Sequence, residues 1–260
     1  MMRTDPAVSL PRVSLEETLR RARAQLSAFE GLMSEVPYDN EGIPMSEMFF
    51  LLCALGGVRP ERLLESGRGG GQSTLVLGHY FKQSAVISIE ENDRSPNAAL
   101  ATKRLAHLAN VQCRFGDSRR LLPGILEAGD VVLIDGPKEF RALALAFELL
   151  RTGRPQAVFI HDLHVDSPAR TFLDRHVPQA FYSDEPEFVT RFSYLDTLHG
   201  ATRKAHWTRE DRRGYGPTLA CLPPDSLAGK SYEALSGQLK MARIVSHAHD
   251  KIRTVFGGKS

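Results

Sequence analysis

Apolar positions along the chain recur in two rhythms. From about Ser14 to Met33, residues Leu15, Leu19, Ala22, Leu26 and Phe29 return at three- and four-residue steps, which predicts one buried face of a helix. Ser46 to Leu55 is denser in apolar residues and stops at Gly56-Gly57, predicting a second helix. Beyond it the rhythm changes. Five short apolar runs, Arg62–Leu64, Ala85–Ile89, Val111–Phe115, Val131–Ile134 and Ala157–Ile160, alternate with amphipathic stretches at Gln72–Phe81, Asn97–Ala109, Leu121–Leu126 and Lys138–Arg151. That order predicts parallel strands joined by crossover helices, and the nearly continuous apolar character of the runs predicts a sheet covered on both faces. After Asp162 the pattern predicts a helix over Pro168–His176, a helix or strand over Phe188–Leu195, a strand over Thr218–Leu222 closed by Pro223-Pro224, and a final helix over Tyr232–Phe256.

The first strand runs into Glu65-Ser66-Gly67-Arg68-Gly69-Gly70-Gly71-Gln72, at the start of a helix. Glycines let the main chain turn tightly and approach a ligand, and a helix start offers free N–H groups. A phosphate-gripping Walker loop requires Lys and then Ser or Thr after its last glycine, where this chain has Gln72-Ser73. The dinucleotide fingerprint counted from Gly67 requires Gly or Ala at position 72, so Gln72 weighs against an NAD-dependent oxidoreductase, which is kept as an alternative. What remains, Glu65 with Gly67, Gly69 and Gly71, resembles the first motif of the class I S-adenosylmethionine-dependent methyltransferases. The resemblance spans roughly Glu61 to Asp166. It implies a Rossmann-like α/β fold, mostly parallel with helices on both faces, whose glycine loop lies against the methionine portion of S-adenosylmethionine. On that reading residues 1–59 are a helical cover, 60–228 the cofactor-binding and catalytic domain, and 229–260 a helix on or beside it.

Carboxylates stand at the predicted strand ends. Glu90, 23 residues after Gly67, is placed to accept both ribose hydroxyl protons of an adenosine. In the methyltransferase resemblance Asp117 meets the adenine amino group and Ser118 lies near the ring. The plainer alternative has Asp117 capping the helix that begins near Leu121. Glu65 is expected to face the amino or sulfonium region, directly or through water.

The fourth and fifth runs lead into Asp135-Gly136-Pro137-Lys138 and His161-Asp162-Leu163. Here the resemblance narrows to metal-assisted O-methyltransferases, in which Asp135 and Asp162 match acids that share Mg²⁺. The chain departs from those patterns: Leu163 stands where catechol-type enzymes have Asn, and His161 where antibiotic-tailoring enzymes have an acid. Imidazole prefers softer transition ions. Two accounts of the chemistry therefore stand side by side. In one, Mg²⁺ or another divalent cation on Asp135 and Asp162 activates a substrate hydroxyl. In the other, His161 is the general base, Asp162 orients it or is itself the base, and Lys138 steadies an oxyanion. A methyltransferase-like scaffold that binds the cofactor without turnover is the remaining alternative.

Composition adds boundaries. Of the 260 residues, 42% are hydrophobic and 25% charged, as in a globular domain, and a formal charge of +2 gives no reason to expect nucleic acid. Cys53, Cys113 and Cys221 lack zinc-ligand spacing and read as buried thiols of a reducing compartment. Met48–Val58 is too short to span a bilayer and too far in for a signal sequence, so a cytoplasmic protein acting on a small molecule is expected, with a homo-oligomer left open. His164 and Asp166 read as a polar loop next to the site. His247 and His249 lie on different sides of the last helix, and the stretch from Trp207 to Arg213 reads as a solvent-facing loop.

Overall fold

The computed structural model describes residues 13–36, 42–197 and 218–256. Strands β1 (Arg62–Ser66), β2 (Ala85–Glu90), β3 (Val111–Phe115), β4 (Val131–Ile134) and β5 (Ala157–Ile160) pair in parallel. β7 (Ala220–Leu222) runs antiparallel between β5 and β6 (Phe181–Tyr182), giving a seven-stranded sheet in the order β3-β2-β1-β4-β5-β7-β6. This is the mostly parallel, Rossmann-like sheet with helices on both faces that the methyltransferase resemblance implies. The five apolar runs are all strands. β6 is absent from the sequence pattern, because two residues are too few to display a period.

Strand alternation divides the core into two layers. Leu63, Val131, Leu133, Ala157, Phe159 and Cys221 face one way, into a cluster with α1 (Leu15–Met33), α2 (Met45–Leu55), α3 (Gln72–Tyr80), α4 (Pro96–Leu105) and α8 (Pro186–Phe192). Leu64, Val132, Ile134, Val158, Ile160 and Leu222 face the other way, against α5 (Ser118–Ile125), α6 (Phe140–Leu150), α7 (Pro168–His176) and α9 (Tyr232–Phe256). Both faces of the central strands are thus dry, which explains the unbroken apolar runs.

The N-terminal helices belong to the first layer. Ser14 caps α1 by accepting from the Glu17 N–H. Every residue of α2 is buried, and its Phe49 and Phe50 rings meet Phe29, Phe181, Phe188 and Phe192 at centroid distances of 4.9–6.0 Å. Phe181, Phe188 and Phe192 are therefore core residues. The Phe188–Leu195 alternative resolves as helix: Pro186 sets the first turn of α8, and Ser193–Thr197 continues as a 3₁₀ turn. Two other boundaries shift for local reasons. α5 starts at Ser118 rather than near Leu121 because the Asp117 carboxylate accepts from the Arg119 N–H at 3.0 Å, and α6 starts at Phe140, which leaves Lys138 in the turn after β4. Among the described residues no helix is long and apolar enough to cross a membrane. The three cysteines are free thiols, two of them buried.

Candidate functional site

Strand order reverses between β1 and β4, so the chain leaves their carboxyl ends in opposite directions and opens a crevice there. The glycine loop fills the near side. Gly67 has φ +87°, and a Cβ there would stand 2.6 Å from the Gly136 nitrogen, so the loop lies directly on the turn after β4. Gly71 also has positive φ, and a Cβ would press on Ala101 of α4 at 3.1 Å. Both positions exclude a side chain for backbone and packing reasons together. Gln72 serves the N-terminal cover instead. Its Nε2 donates to the Ile43 carbonyl at 3.0 Å and tethers the stretch that leads into α2.

Beneath the loop, Glu65 is fully buried. Its carboxylate accepts from Ser73 Oγ at 2.5 Å, from Ser88 Oγ at 2.6 Å and from Thr74 Oγ1. Burial raises its pKa against the pull of these hydroxyls. Glu65 does not line the cleft; it braces the loop from below. Arg68 is also turned inward, donating to the Ser88 carbonyl at 2.8 Å with its guanidinium 4.9 Å from the Phe115 ring centre.

The cleft has a volume of 680 Å³ and is lined by Gly67, Glu90, Asp117 and Ser118, together with Gly136 and Lys138. Gly69 and Gly71 are not among the lining residues. Glu90 accepts from the Gly69 N–H at 3.0 Å and the Asn92 N–H at 3.2 Å, so the acid at the end of β2 holds the glycine loop in place. Asp117 caps α5 and pairs with the Arg119 side chain at 2.8 and 2.9 Å, and that guanidinium holds its carboxyl below the usual range. Ser118 Oγ lies 2.6 Å from Ser66 Oγ. The far wall holds Arg243, Ser246 and His247 of α9, residues that no local pattern marked as part of a site.

The second half of the site follows from parity. Asp135 and His161 continue the alternation of Leu133 and Phe159, which turns both side chains toward the layer that contains α2. His161 Nδ1 lies 2.6 Å from Asp135 Oδ1 and 3.5 Å from Asp162 Oδ1, while its Nε2 lies 3.2 Å from Glu47 Oε2. Lys138 Nζ is 2.5 Å from both Asp135 Oδ1 and Asp162 Oδ2. Asp162 takes φ +61°, a left-handed conformation that Asp tolerates better than most residues, as the chain turns at the end of β5. Glu47 was missed by sequence reasoning. The signal was present: it is the single ionisable residue apart from Cys53 in the fully buried α2, whose other residues apart from Ser46 are apolar.

Electrostatics tie the cluster together. Burial works against a charged imidazole, but Asp135 and Glu47 outweigh it and raise His161 to about 10. Burial pushes Glu47 up to about 8, with His161 opposing. For Asp135, burial raises the pKa, yet His161 and Lys138 prevail and hold it down to about 2. Lys138 is raised, since Asp135 and Asp162 overcome the effect of burial. The result is two cations set among three carboxyl groups. One donor atom each from Asp135, His161 and Asp162 lie within 4.8 Å of one another, close enough to share an ion. Leu163 is buried in the opposite layer, and His164 and Asp166 form a separate local turn, with the Asp166 N–H 3.5 Å from His164 Nδ1. The stretch from Trp207 to Arg213 and the His249 side chain lie outside what is described.

No family model matches the chain, and no curated protein matches it. Among solved structures with a similar course of the backbone is cofactor-bound Rv0187 from MTB, at 18% identity over 77% of this chain and 90% of that one, with a TM-score of 0.48. Another is the O-methyltransferase TomG from Streptomyces achromogenes, involved in tomaymycin synthesis and solved with SAM. It is 21% identical over 81% of this chain and 91% of that one, with a TM-score of 0.45. The O-methyltransferase from Bacillus cereus in complex with SAH is 20% identical, over 83% and 93%, with a TM-score of 0.44. At these identities an assignment of chemistry has to come from this chain's own side chains.

Proposed function

We propose that this chain transfers a methyl group from S-adenosylmethionine to a hydroxyl oxygen of a small molecule. The observation that carries the reading is the meeting, at one carboxyl edge, of a glycine-walled cleft bearing Glu90 and Asp117 with the Asp135–Lys138–His161–Asp162 cluster at its side. In this reading Glu90 accepts from the ribose hydroxyls, Asp117 from the adenine amino group with Ser118 beside the ring, and the loop at Gly67 and Gly69 takes the methionine portion. Gly71 and Glu65 support that loop from behind and below.

At the cluster, an acceptor oxygen forms its bond to the methyl carbon as the carbon–sulfur bond breaks and its electron pair passes to sulfur, leaving S-adenosylhomocysteine. The hydroxyl proton passes to Asp162, which is more exposed than Asp135. Lys138, kept as an ammonium by its two acids, steadies the developing oxyanion. His161, with a carboxyl group at each ring nitrogen, is a fixed element of the site rather than the base. Much of the rate comes from holding oxygen, methyl and sulfur in line. Two carboxylates and an imidazole within reach of one point also fit a divalent cation, held by Asp135, Asp162 and His161 with Lys138 swung aside. When bound, such an ion supplies Lewis-acid polarisation of the acceptor oxygen.

The small formal charge favours a small acceptor over nucleic acid, and the free thiols suit a cytoplasmic setting. A homo-oligomer is compatible with both. The test is calorimetric titration with S-adenosylmethionine, S-adenosylhomocysteine and NAD⁺, followed by transfer of a labelled methyl group to a panel of hydroxyl compounds. Binding of both sulfur cofactors and none of NAD⁺ is expected. Binding of NAD⁺ alone overturns the reading, and cofactor binding without transfer to any acceptor reduces the chain to a binding protein.

A further inference from the structure

The most unusual group in the fold is Glu47. It is fully buried in a helix whose other residues are nearly all apolar, and neither of its carboxylate oxygens has a hydrogen-bond partner of good geometry. A buried carboxyl left in that state is strongly disfavoured, so its position calls for a partner. The nearest candidate is His161 Nε2, which is equally buried, equally without a hydrogen bond, and 3.2 Å away. Glu47 is held at this spot from its neighbour. The Asp196 carboxylate accepts from the Ser46 N–H at 2.7 Å and the Ser46 hydroxyl at 2.9 Å, fixing the first turn of α2.

A histidine that ligates a metal through one ring nitrogen characteristically gives its other N–H to a carboxylate, which fixes tautomer and ring orientation. Here the ring has Glu47 on the Nε2 side and Asp135 and Asp162 on the Nδ1 side. We propose that Glu47 is a positioning residue: its carboxylate accepts a hydrogen bond from the His161 Nε2–H, so that Nδ1, with Asp135 and Asp162, faces a first-row transition ion such as Co²⁺, Ni²⁺ or Zn²⁺ in preference to Mg²⁺. Mg²⁺ demands near-octahedral oxygen coordination and keeps its waters, whereas an imidazole donor favours the later transition ions. The inference deepens the reading above, on which its relevance to transfer rests. Ion binding is nevertheless measurable apart from cofactor binding.

The experiment titrates the full chain with Co²⁺, following visible absorption and heat, and then competes the bound ion with Mg²⁺. Wild-type protein is expected to take up a single Co²⁺ and to yield it only to a large excess of Mg²⁺, on the order of a hundredfold. Glu47→Gln keeps an acceptor opposite Nε2 and is expected to stay within about threefold of wild-type affinity. Glu47→Leu is expected to lose about ten- to a hundredfold and to show a shifted spectrum. Wild-type protein that binds no Co²⁺, or surrenders it to equimolar Mg²⁺, overturns the proposal. So does Glu47→Leu that melts like wild type and keeps the wild-type affinity and spectrum. Should Glu47→Leu fail to fold, His161→Asn decides: the preference for Co²⁺ over Mg²⁺ is expected to vanish, and its survival overturns the proposal. Titrating the same samples with S-adenosylhomocysteine separates the two readings. Normal cofactor binding without Co²⁺ binding removes only this inference, while Co²⁺ binding without either sulfur cofactor supports the ion site and removes the methyl-transfer reading.

Discussion

The two halves of the site are built differently. The half at β1, β2 and β3 is made of main chain and single strand-end acids: Gly67 seated on the β4 turn, Glu90 holding the Gly69 N–H, and Asp117 capping its own helix. Each part is assembled from neighbours in sequence or from the adjacent strand. The half at β4 and β5 is a knot of charge in which Asp135, Lys138, His161 and Asp162 meet Glu47, more than a hundred residues away from His161. The first half offers shape and hydrogen-bond acceptors; the second offers concentrated charge in a half-dry setting, where electrostatic interactions are strongest. Binding should therefore depend on the first half and turnover on the second.

Asp135→Asn puts this division under the greatest strain. Removing the acid that faces both His161 and Lys138 is expected to lower kcat about 10²- to 10³-fold, the usual effect of losing a preorganised electrostatic contact. S-adenosylhomocysteine affinity by calorimetry should stay within about twofold, because Asp135 does not line the cleft. A comparable loss in both quantities would mean that the halves work as one. Glu90→Ala makes the converse case. It removes the acceptor of the Gly69 N–H and, on the proposed reading, that of the ribose hydroxyls, and cofactor affinity is expected to fall about tenfold or more, with kcat at saturating cofactor little altered.

A third test uses pH. His161 is raised to about 10 from an ordinary 6.5, so its ion pairs stabilise the fold fully below about 6.5, and that contribution is lost as pH climbs through 10. Glu47, pushed up to about 8 from 4.5, acts in the same direction, since the folded chain holds its proton more tightly than the unfolded one. Asp135, held at about 2 against 3.8, contributes above 3.8 and loses that contribution as pH falls through 2. The thermal midpoint by scanning calorimetry is therefore expected to decline from pH 6.5 toward 10, and His161→Asn should flatten that decline. A flat wild-type profile would mean that the charges of the second half are not coupled to folding. The mildest change is expected at Asp117→Ala, which loses a helix cap and should cost about 1 kcal/mol of stability by denaturant melting. A modest weakening of cofactor binding should accompany it.

The same contrast explains what was legible in the sequence. Strand ends can be read because buried parallel strands give apolar runs that stop abruptly, and the acids at those stops mark the carboxyl edge. Parity along β5 even tells which way His161 faces. It does not tell which helices cover that face, and so the encounter with Glu47 stayed hidden until α2 was placed against the sheet. Arg243 and His247 escaped for the same reason, since α9 reaches the cleft only through its packing on α6 and α7. Gln72 shows the opposite case. In the sequence its bulk reads as an argument about a ligand, yet its side chain is occupied in anchoring the N-terminal stretch. Asp117 caps α5 and also lines the cleft, so the capping alternative is seen directly and leaves the carboxylate facing the space where the adenine role is proposed.

Lys138 lies between Asp135 and Asp162 and brings its own positive charge, so the pair of acids is partly neutralised before anything else arrives. A protein whose acids waited for an external cation would come apart when a chelator removed it. This one carries a resident substitute on a side chain that is nearly half exposed. Prolonged dialysis against EDTA should leave its architecture and melting behaviour intact, and an ion arriving at the cluster would displace a tenant rather than fill a void.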